Sequence, residues 1–261
     1  MTEWRDAIPG DFAVIGDPVA HSKSPAMHAA AYRELGLALS YRAVRVPVGE
    51  VRAALLHLRT LGYRGVNVTV PHKAEALAAC EQVEDLARRI GAVNTVRLDG
   101  LVGRNTDGPG FLRSLPVKEP GLAVILGAGG SAAAVAVALA DVGWKVEIYN
   151  RTRSRAESLA ALIGGEVRED AAVAGADLVI NATSAGLLGS GLSIDWAGVR
   201  PSAHAVDLMY GAEPSPFMRE ALQNGLTAQD GRGMLMEQGA LALEWWLGVP
   251  APREAMLEAI S

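Results

Sequence analysis

The stretch Asn67-Val68-Thr69-Val70-Pro71-His72-Lys73 places an amide, a hydroxyl and an amine at the point where an apolar run gives out. In a β-strand successive side chains alternate faces, so Val66, Val68 and Val70 share one face and Asn67 and Thr69 the other. Lys73 then falls just beyond the strand's carboxyl end, where open α/β sheets bind their ligands. Three further polar clusters flank this one: Ser22-Lys23-Ser24, Asn94-Thr95 and Asn105-Thr106-Asp107. Amides and hydroxyls suit a small polyol. Taken together the clusters make one site, with Lys73 and Asp107 as a candidate acid/base pair.

The elements that must hold these residues alternate. Strands are expected at 12–15, 41–46 and 65–70, with helices at 25–35, 50–61 and 74–80, the last opened by Pro71. Residues 93–98 and 101–104 flank Asp99-Gly100, a two-residue hairpin signal, which predicts an antiparallel part in an otherwise parallel sheet. Residues 115–121, with Pro116 and Pro120, read as a linker. A second unit follows, with strands at 123–126, 146–149, 178–182 and 205–209, and residues 233–247 are helical again.

Gly127-Ala128-Gly129-Gly130-Ser131-Ala132 follows the first strand of that second unit and leads into a helix. It has the G-x-G-x-x-A form of a dinucleotide-binding turn, in which bare backbone approaches a pyrophosphate at a helix amino terminus. The next strand ends at Asn150-Arg151-Thr152-Arg153-Ser154-Arg155, where an NAD-binding unit carries a carboxylate for the ribose 2′-hydroxyl. Arginines there favour a 2′-phosphate, hence NADP over NAD. Cations at a helix amino terminus are otherwise unfavourable, which singles out Arg151 and Arg155.

The chain has 261 residues, half of them hydrophobic, and a net charge of -5. That is enough for two cores, and the acidic balance argues against nucleic acid as a partner. No apolar run is long enough to span a bilayer, no leader pattern precedes Phe12, and a cytoplasmic location is expected. The lone Cys80 is expected as a small buried hydrophobe. The five histidines show no ligand spacing, and no metal is expected. His21 and His72, beside motif residues, are expected in supporting or exposed positions.

In order and spacing, Ser22-Lys23-Ser24-Pro25, Asn67-Val68-Thr69 with Lys73, Gly91 to Thr95, Asn105-Thr106-Asp107, Gly127 to Gly130, Asn150-Arg151-Thr152, Asn181-Ala182-Thr183-Ser184 and Gln238 resemble the shikimate dehydrogenases, over about residues 12–248. The resemblance implies a two-domain α/β protein. A substrate domain with a mixed sheet would comprise residues 1–110 plus 232–261, its last helices returning to it, and residues 111–231 would form a Rossmann-like NADP domain. It implies reversible reduction of 3-dehydroshikimate to shikimate by NADPH, with Lys73 and Asp107 catalytic. Ser22 and Ser24 would hold the substrate carboxylate. Asn67, Thr69, Asn94 and Gln238 would meet the ring hydroxyls, and Tyr210 would face the substrate. Gly127, Ala128, Gly129, Gly130, Ser131, Asn150, Arg151, Thr152, Arg155, Thr183, Leu208 and Gly231 would bind the cofactor. The assembly would be a monomer or homodimer. A sister enzyme acting on quinate or using NAD, and a non-catalytic dinucleotide-binding module, are the alternatives; the module would be expected to lose Lys73 or Asp107.

Overall fold

The computed structural model describes residues 2–117, 119–183 and 192–261. The chain forms two compact units, Met1–Gly110 with Leu235–Ser261, and Phe111–Met234.

In the first unit, β1 (Thr2–Glu3), β2 (Phe12–Gly16), β3 (Tyr41–Arg45), β4 (Gly65–Val68), β5 (Gln82–Val83), β6 (Thr95–Arg97) and β7 (Val102–Arg104) form one sheet in the order β1-β3-β2-β4-β6-β7-β5. Strands β1 to β4 are parallel, whereas β6 runs antiparallel to both β4 and β7. Alternation along β2 sends Ala13 and Ile15 into a core with Leu55 and Leu58 of α2 (Val51–Thr60) and Ala76 of α3 (Lys73–Ala79). Phe12 and Val14 face the other way, onto Met27 and Tyr32 of α1 (Ser24–Glu34), Ala240 and Leu243 of α9 (Arg232–Leu247) and Met256 of α10 (Arg253–Glu258). Both faces are thus covered, as a largely parallel sheet requires. The helices α4 (Asp85–Ile90) and α5 (Asp107–Ser114) complete the amino-terminal segment.

The second unit is built on β8 (Leu122–Leu126), β9 (Lys145–Tyr149), β10 (Glu166–Val167), β11 (Leu178–Asn181), β12 (His204–Asp207) and β13 (Thr227–Gln229), all parallel, in the order β10-β9-β8-β11-β12-β13. Counted from β8 this is 3-2-1-4-5-6, the doubly wound order of dinucleotide-binding sheets, whose switch point lies between β8 and β11. Helices α6 (Gly130–Asp141) and α7 (Arg153–Ile163) contribute to one core, and α8 (Pro216–Gln223) to the other.

Three local expectations fail for physical reasons. The strand expected through Val70 ends at Val68: the chain turns, with His72 N–H donating to Thr69 O, and Val70 is left 63% exposed rather than sharing a face with Val66 and Val68. Pro71 does not open the helix; α3 starts at Lys73 after His72. The hairpin between β6 and β7 is joined by four residues, Leu98 to Leu101, not by Asp99-Gly100 alone, because both leucines turn inward and bury completely. The strands β1, β5, β10 and β13, two or three residues each, carry no periodicity from which to read them.

Candidate active site

Antiparallel β6 explains why residues distant in sequence meet. The register pairs Asn67 with Thr95 and Thr95 with Arg104, so the carboxyl ends of β4 and β7 and the amino end of β6 lie together. Asn94, just before β6, and Asn105 to Asp107, just after β7, are thereby brought beside Asn67. Asn105 Oδ1 accepts from Asp107 N–H at 3.0 Å and its amide donates to Ala92 O at 3.0 Å, an Asx turn that sets the start of α5.

Lys73 Nζ lies 2.6 Å from Asp107 Oδ2, and the two side chains are only 13% and 7% exposed. In such a setting an ion pair is screened far less than at the surface. Asn94 Nδ2 donates to the other carboxylate oxygen, Asp107 Oδ1, at 2.8 Å, and approaches Thr106 Oγ1 at 3.0 Å and Gln238 Oε1 at 3.3 Å. Asn94 Oδ1 accepts from Thr106 N–H at 2.7 Å and from Thr95 Oγ1 at 3.1 Å. Asp107 is therefore gripped from both sides, by an ammonium and by an amide that cannot rotate without breaking several bonds.

Asn67 is held just as firmly. Its Oδ1 accepts from the Tyr41 hydroxyl at 2.7 Å, and its Nδ2 donates to Thr95 Oγ1 at 3.1 Å and Asn94 O at 3.3 Å. Gln238 reaches this cluster because Gly110 on α5 has no side chain; a Cβ there would stand 2.7 Å from the Gln238 backbone nitrogen. Thr69 is half-buried, with its methyl towards Gly16 and its N–H donating to Ile15 O. Ser22 Oγ accepts from Ser24 N–H at 3.3 Å at the start of α1, so part of its role is to shape that turn. The intervening Lys23 donates instead to Ile260 O at 2.6 Å. His21 is exposed, and His72 is fully buried with Nε2 2.6 Å from Val46 O. Cys80 is partly buried, and burial pushes its thiol up to about 11, which keeps it protonated and inert.

In the second unit Gly127 takes φ +116°, in the region that favours glycine, and donates its N–H to Tyr149 O at 2.8 Å. Exposed Gly129 caps α6, and a Cβ added to it would meet nothing within 4 Å. The protein's own packing therefore does not require a glycine there, and the open space lies over the amino terminus of a twelve-residue helix. Asn150 Nδ2 donates to Thr152 O at 2.8 Å, ordering the turn that leads to α7. Arg153 is tied to Glu157 and Glu169. Arg151 and Arg155 are exposed, and among the described residues no ion pair or hydrogen bond engages either guanidinium.

Thr183 Oγ1 donates to Asn181 Oδ1 at 2.7 Å, while Ser184 lies outside the described residues. Gly231 has a structural cause: a Cβ there would stand 2.3 Å from Leu208 O. Leu208, half-buried, packs on the core beneath. Tyr210 lines a cavity of about 370 Å³ with Asp207, Asp230 and Arg232. Buried Asp207 accepts from Asn181 Nδ2 and Met209 N–H, each at 3.0 Å, and from Ser215, which also caps α8. Burial raises its carboxyl above the usual range. The sequence reading missed Tyr41, Thr95 and Thr106 as members of the polar network. Tyr41 gave no signal because aromatic residues are ordinary in strands.

Three protein-family models match the chain: the shikimate dehydrogenase substrate binding domain at residues 14–96, shikimate / quinate 5-dehydrogenase at 118–188 and the shikimate 5'-dehydrogenase C-terminal domain at 231–260. The chain is 42% identical over 263 residues to the shikimate dehydrogenase (NADP(+)) of Desulfitobacterium hafniense, covering 95% of this chain and 96% of that one. It is 45% identical over 256 residues to the enzyme of the same description from one strain of Thermus thermophilus, with the same coverages. Among solved structures, shikimate 5-dehydrogenase from another strain of Thermus thermophilus, in complex with NADP(H) and shikimate, superposes with a TM-score of 0.88 at 42% identity, covering 99% and 98% of the two chains. A ligand-free 5-ketofructose reductase of Gluconobacter sp. strain CHM43 gives 0.87 at 34% identity, covering 97% and 98%.

Proposed function

The chain belongs to the shikimate dehydrogenase family, and from that premise we propose which of its residues carry the reaction. It is an NADP-dependent oxidoreductase acting on a CH-OH group, interconverting shikimate and 3-dehydroshikimate. Lys73 and Asp107 are the acid/base pair. As the substrate ketone becomes an alcohol its oxygen gains negative charge, which the Lys73 ammonium stabilises and neutralises by giving up a proton. In the oxidation direction the same group receives the proton. Asp107 holds the ammonium and is held in turn by Asn94, so the donor is oriented before substrate arrives. The observation that carries this reading is the 2.6 Å pair itself, nearly buried and anchored on both carboxylate oxygens.

Asn67, Thr69, Asn94 and Gln238 are the polyol-facing residues, and Ser22 and Ser24 the carboxylate-facing ones. Residues 1–110 with 232–261 act as the substrate domain and 111–231 as the NADP domain. The reduced nicotinamide supplies the hydride when bound. The second unit suits that cofactor: Gly129 and Gly130, within Gly127 to Ser131, leave exposed backbone at the start of α6, and Arg151 and Arg155 carry positive charge where no carboxylate opposes a 2′-phosphate. Asn150, Thr152, Thr183, Leu208 and Gly231 complete that site, with Tyr210 towards the substrate.

The test is absorbance at the nicotinamide band with shikimate or quinate crossed with NADP or NAD. Shikimate with NADP is expected to give by far the highest kcat/KM. Equal turnover of quinate, for which one of the matching families is also named, would widen the substrate class.

A further inference from the structure

The Tyr41 side chain belongs to a group of buried aromatic rings on the face of the first sheet covered by α1 and α9. The His28 ring lies parallel to it, with centroids 4.1 Å apart and an interplanar angle of 5°. His28 is completely buried, both of its ring nitrogens lack a partner among the described residues, and burial pushes it down to about 3. A neutral, unbonded imidazole in that position acts as a flat wall. It limits the phenol to motion in its own plane.

The hydroxyl at the end of that ring donates to Asn67 Oδ1, the shortest of the three bonds that hold the amide. The other two, to Thr95 Oγ1 and Asn94 O, are longer, and Asn94 O also receives Val68 N–H. An amide held only by those two keeps its nitrogen towards Asn94 O, which only accepts, but its oxygen is untethered and the amide plane is free to tilt. We infer that Tyr41 is a positioning residue for the substrate: its hydroxyl tethers the Asn67 amide oxygen and so fixes the direction in which that oxygen is presented to a ring hydroxyl. This rests on Asn67 being a substrate contact, as proposed above.

Tyr41→Phe keeps the ring and the stack on His28 and removes only the oxygen. It is expected to raise the KM for shikimate about 3- to 10-fold, with kcat within about twofold and the KM for NADP unchanged. Asn67→Ala should raise the shikimate KM at least as much. In the Asn67→Ala background Tyr41→Phe should add nothing, because the two act as a unit. A Tyr41→Phe protein that loses thermal stability but keeps the wild-type shikimate KM, while Asn67→Ala raises it, would leave Tyr41 a packing residue and overturn the inference. Additive effects of the two substitutions would overturn it as well. If Asn67→Ala itself leaves the shikimate KM unchanged, the assignment of Asn67 has failed first and the inference falls with it.

Discussion

The two units prepare their sites in opposite ways. In the first, the polar side chains are buried and bonded to one another: Asp107 to Lys73 and Asn94, Asn94 to Thr106 and Gln238, Asn67 to Tyr41 and Thr95. In the second, the features that suit a cofactor are exposed: bare backbone at Gly129 and Gly130, and arginines without partners among the described residues. A group that must hold a proton donor to within a fraction of an ångström gains from a surrounding network. A group that meets a doubly charged phosphate gains from being solvated and reachable, since long-range attraction does much of the work. The difference predicts that substitutions at the Lys73–Asp107 pair of the first unit act on turnover and those at the arginines of the second on cofactor binding.

The largest effect tests the first half of that contrast. Lys73→Ala should lower kcat by about 100- to 10,000-fold while leaving NADP binding near that of the wild type. Asp107→Asn should also be severe, since it keeps the shape and removes the charge that holds the ammonium. Turnover of Lys73→Ala within about tenfold of the wild type would refute the acid/base assignment.

The second half is tested at the arginines. Arg151→Ala or Arg155→Ala should weaken NADPH by about 10- to 100-fold and leave NADH little changed, because one charge-assisted bond contributes about 1.5–3 kcal/mol. The wild-type preference for NADPH should shrink as salt is raised. Arg153→Ala, which removes a side chain already tied to two glutamates, is the internal control and should leave both cofactors unaffected. Equal losses for NADH and NADPH in the first two variants would make those arginines structural and dissolve the contrast between the units.

The smallest effect at neutral pH concerns the wall behind Tyr41. His28 titrates at its ordinary value of 6.5 when the chain is unfolded and near 3 when folded, so the unfolded state binds the extra proton. The stability it contributes is complete above pH 6.5 and is lost as pH falls towards 3, at about 1.4 kcal/mol per pH unit. Urea titrations at steps between pH 7 and pH 4 should show that slope in the wild type and a shallower one in His28→Leu. Parallel curves would mean that His28 gains a partner or a proton without unfolding.

Much of this was legible in the sequence, for an identifiable reason in each case. Gly127 to Ser131 stood out because a glycine-rich turn sits between a strand and a helix, a pattern weak by itself, and the arginines after Asn150 because cations at a helix amino terminus are unfavourable. Lys73 and Asp107 could be paired because each closes or follows a strand. The bonds between the polar clusters could not be read, because they depend on the register of β6 against β4, and the hairpin signal that joins β6 to β7 says nothing of that second pairing. Gly231 was legible as a glycine but not for its cause, the carbonyl of Leu208. Thr95 and Thr106 were quoted in motifs yet given no task, since a hydroxyl that only passes hydrogen bonds along leaves no signature.

Gln238 and the helices around it also impose an order of events during synthesis. The face of β2 that carries Phe12 and Val14 is closed by Met236, Ala240, Leu243 and Met256, and Lys23 is fastened by the carbonyl of Ile260. All of these leave the ribosome after the whole of the second unit, Phe111–Met234, has been made. At about 5–20 residues per second, the amino-terminal sheet waits on the order of ten seconds with that face covered by α1 alone. During that interval the nascent chain is a natural client for chaperones, and a message that stops just after Met234 would encode the whole of the second unit and leave the first unable to close.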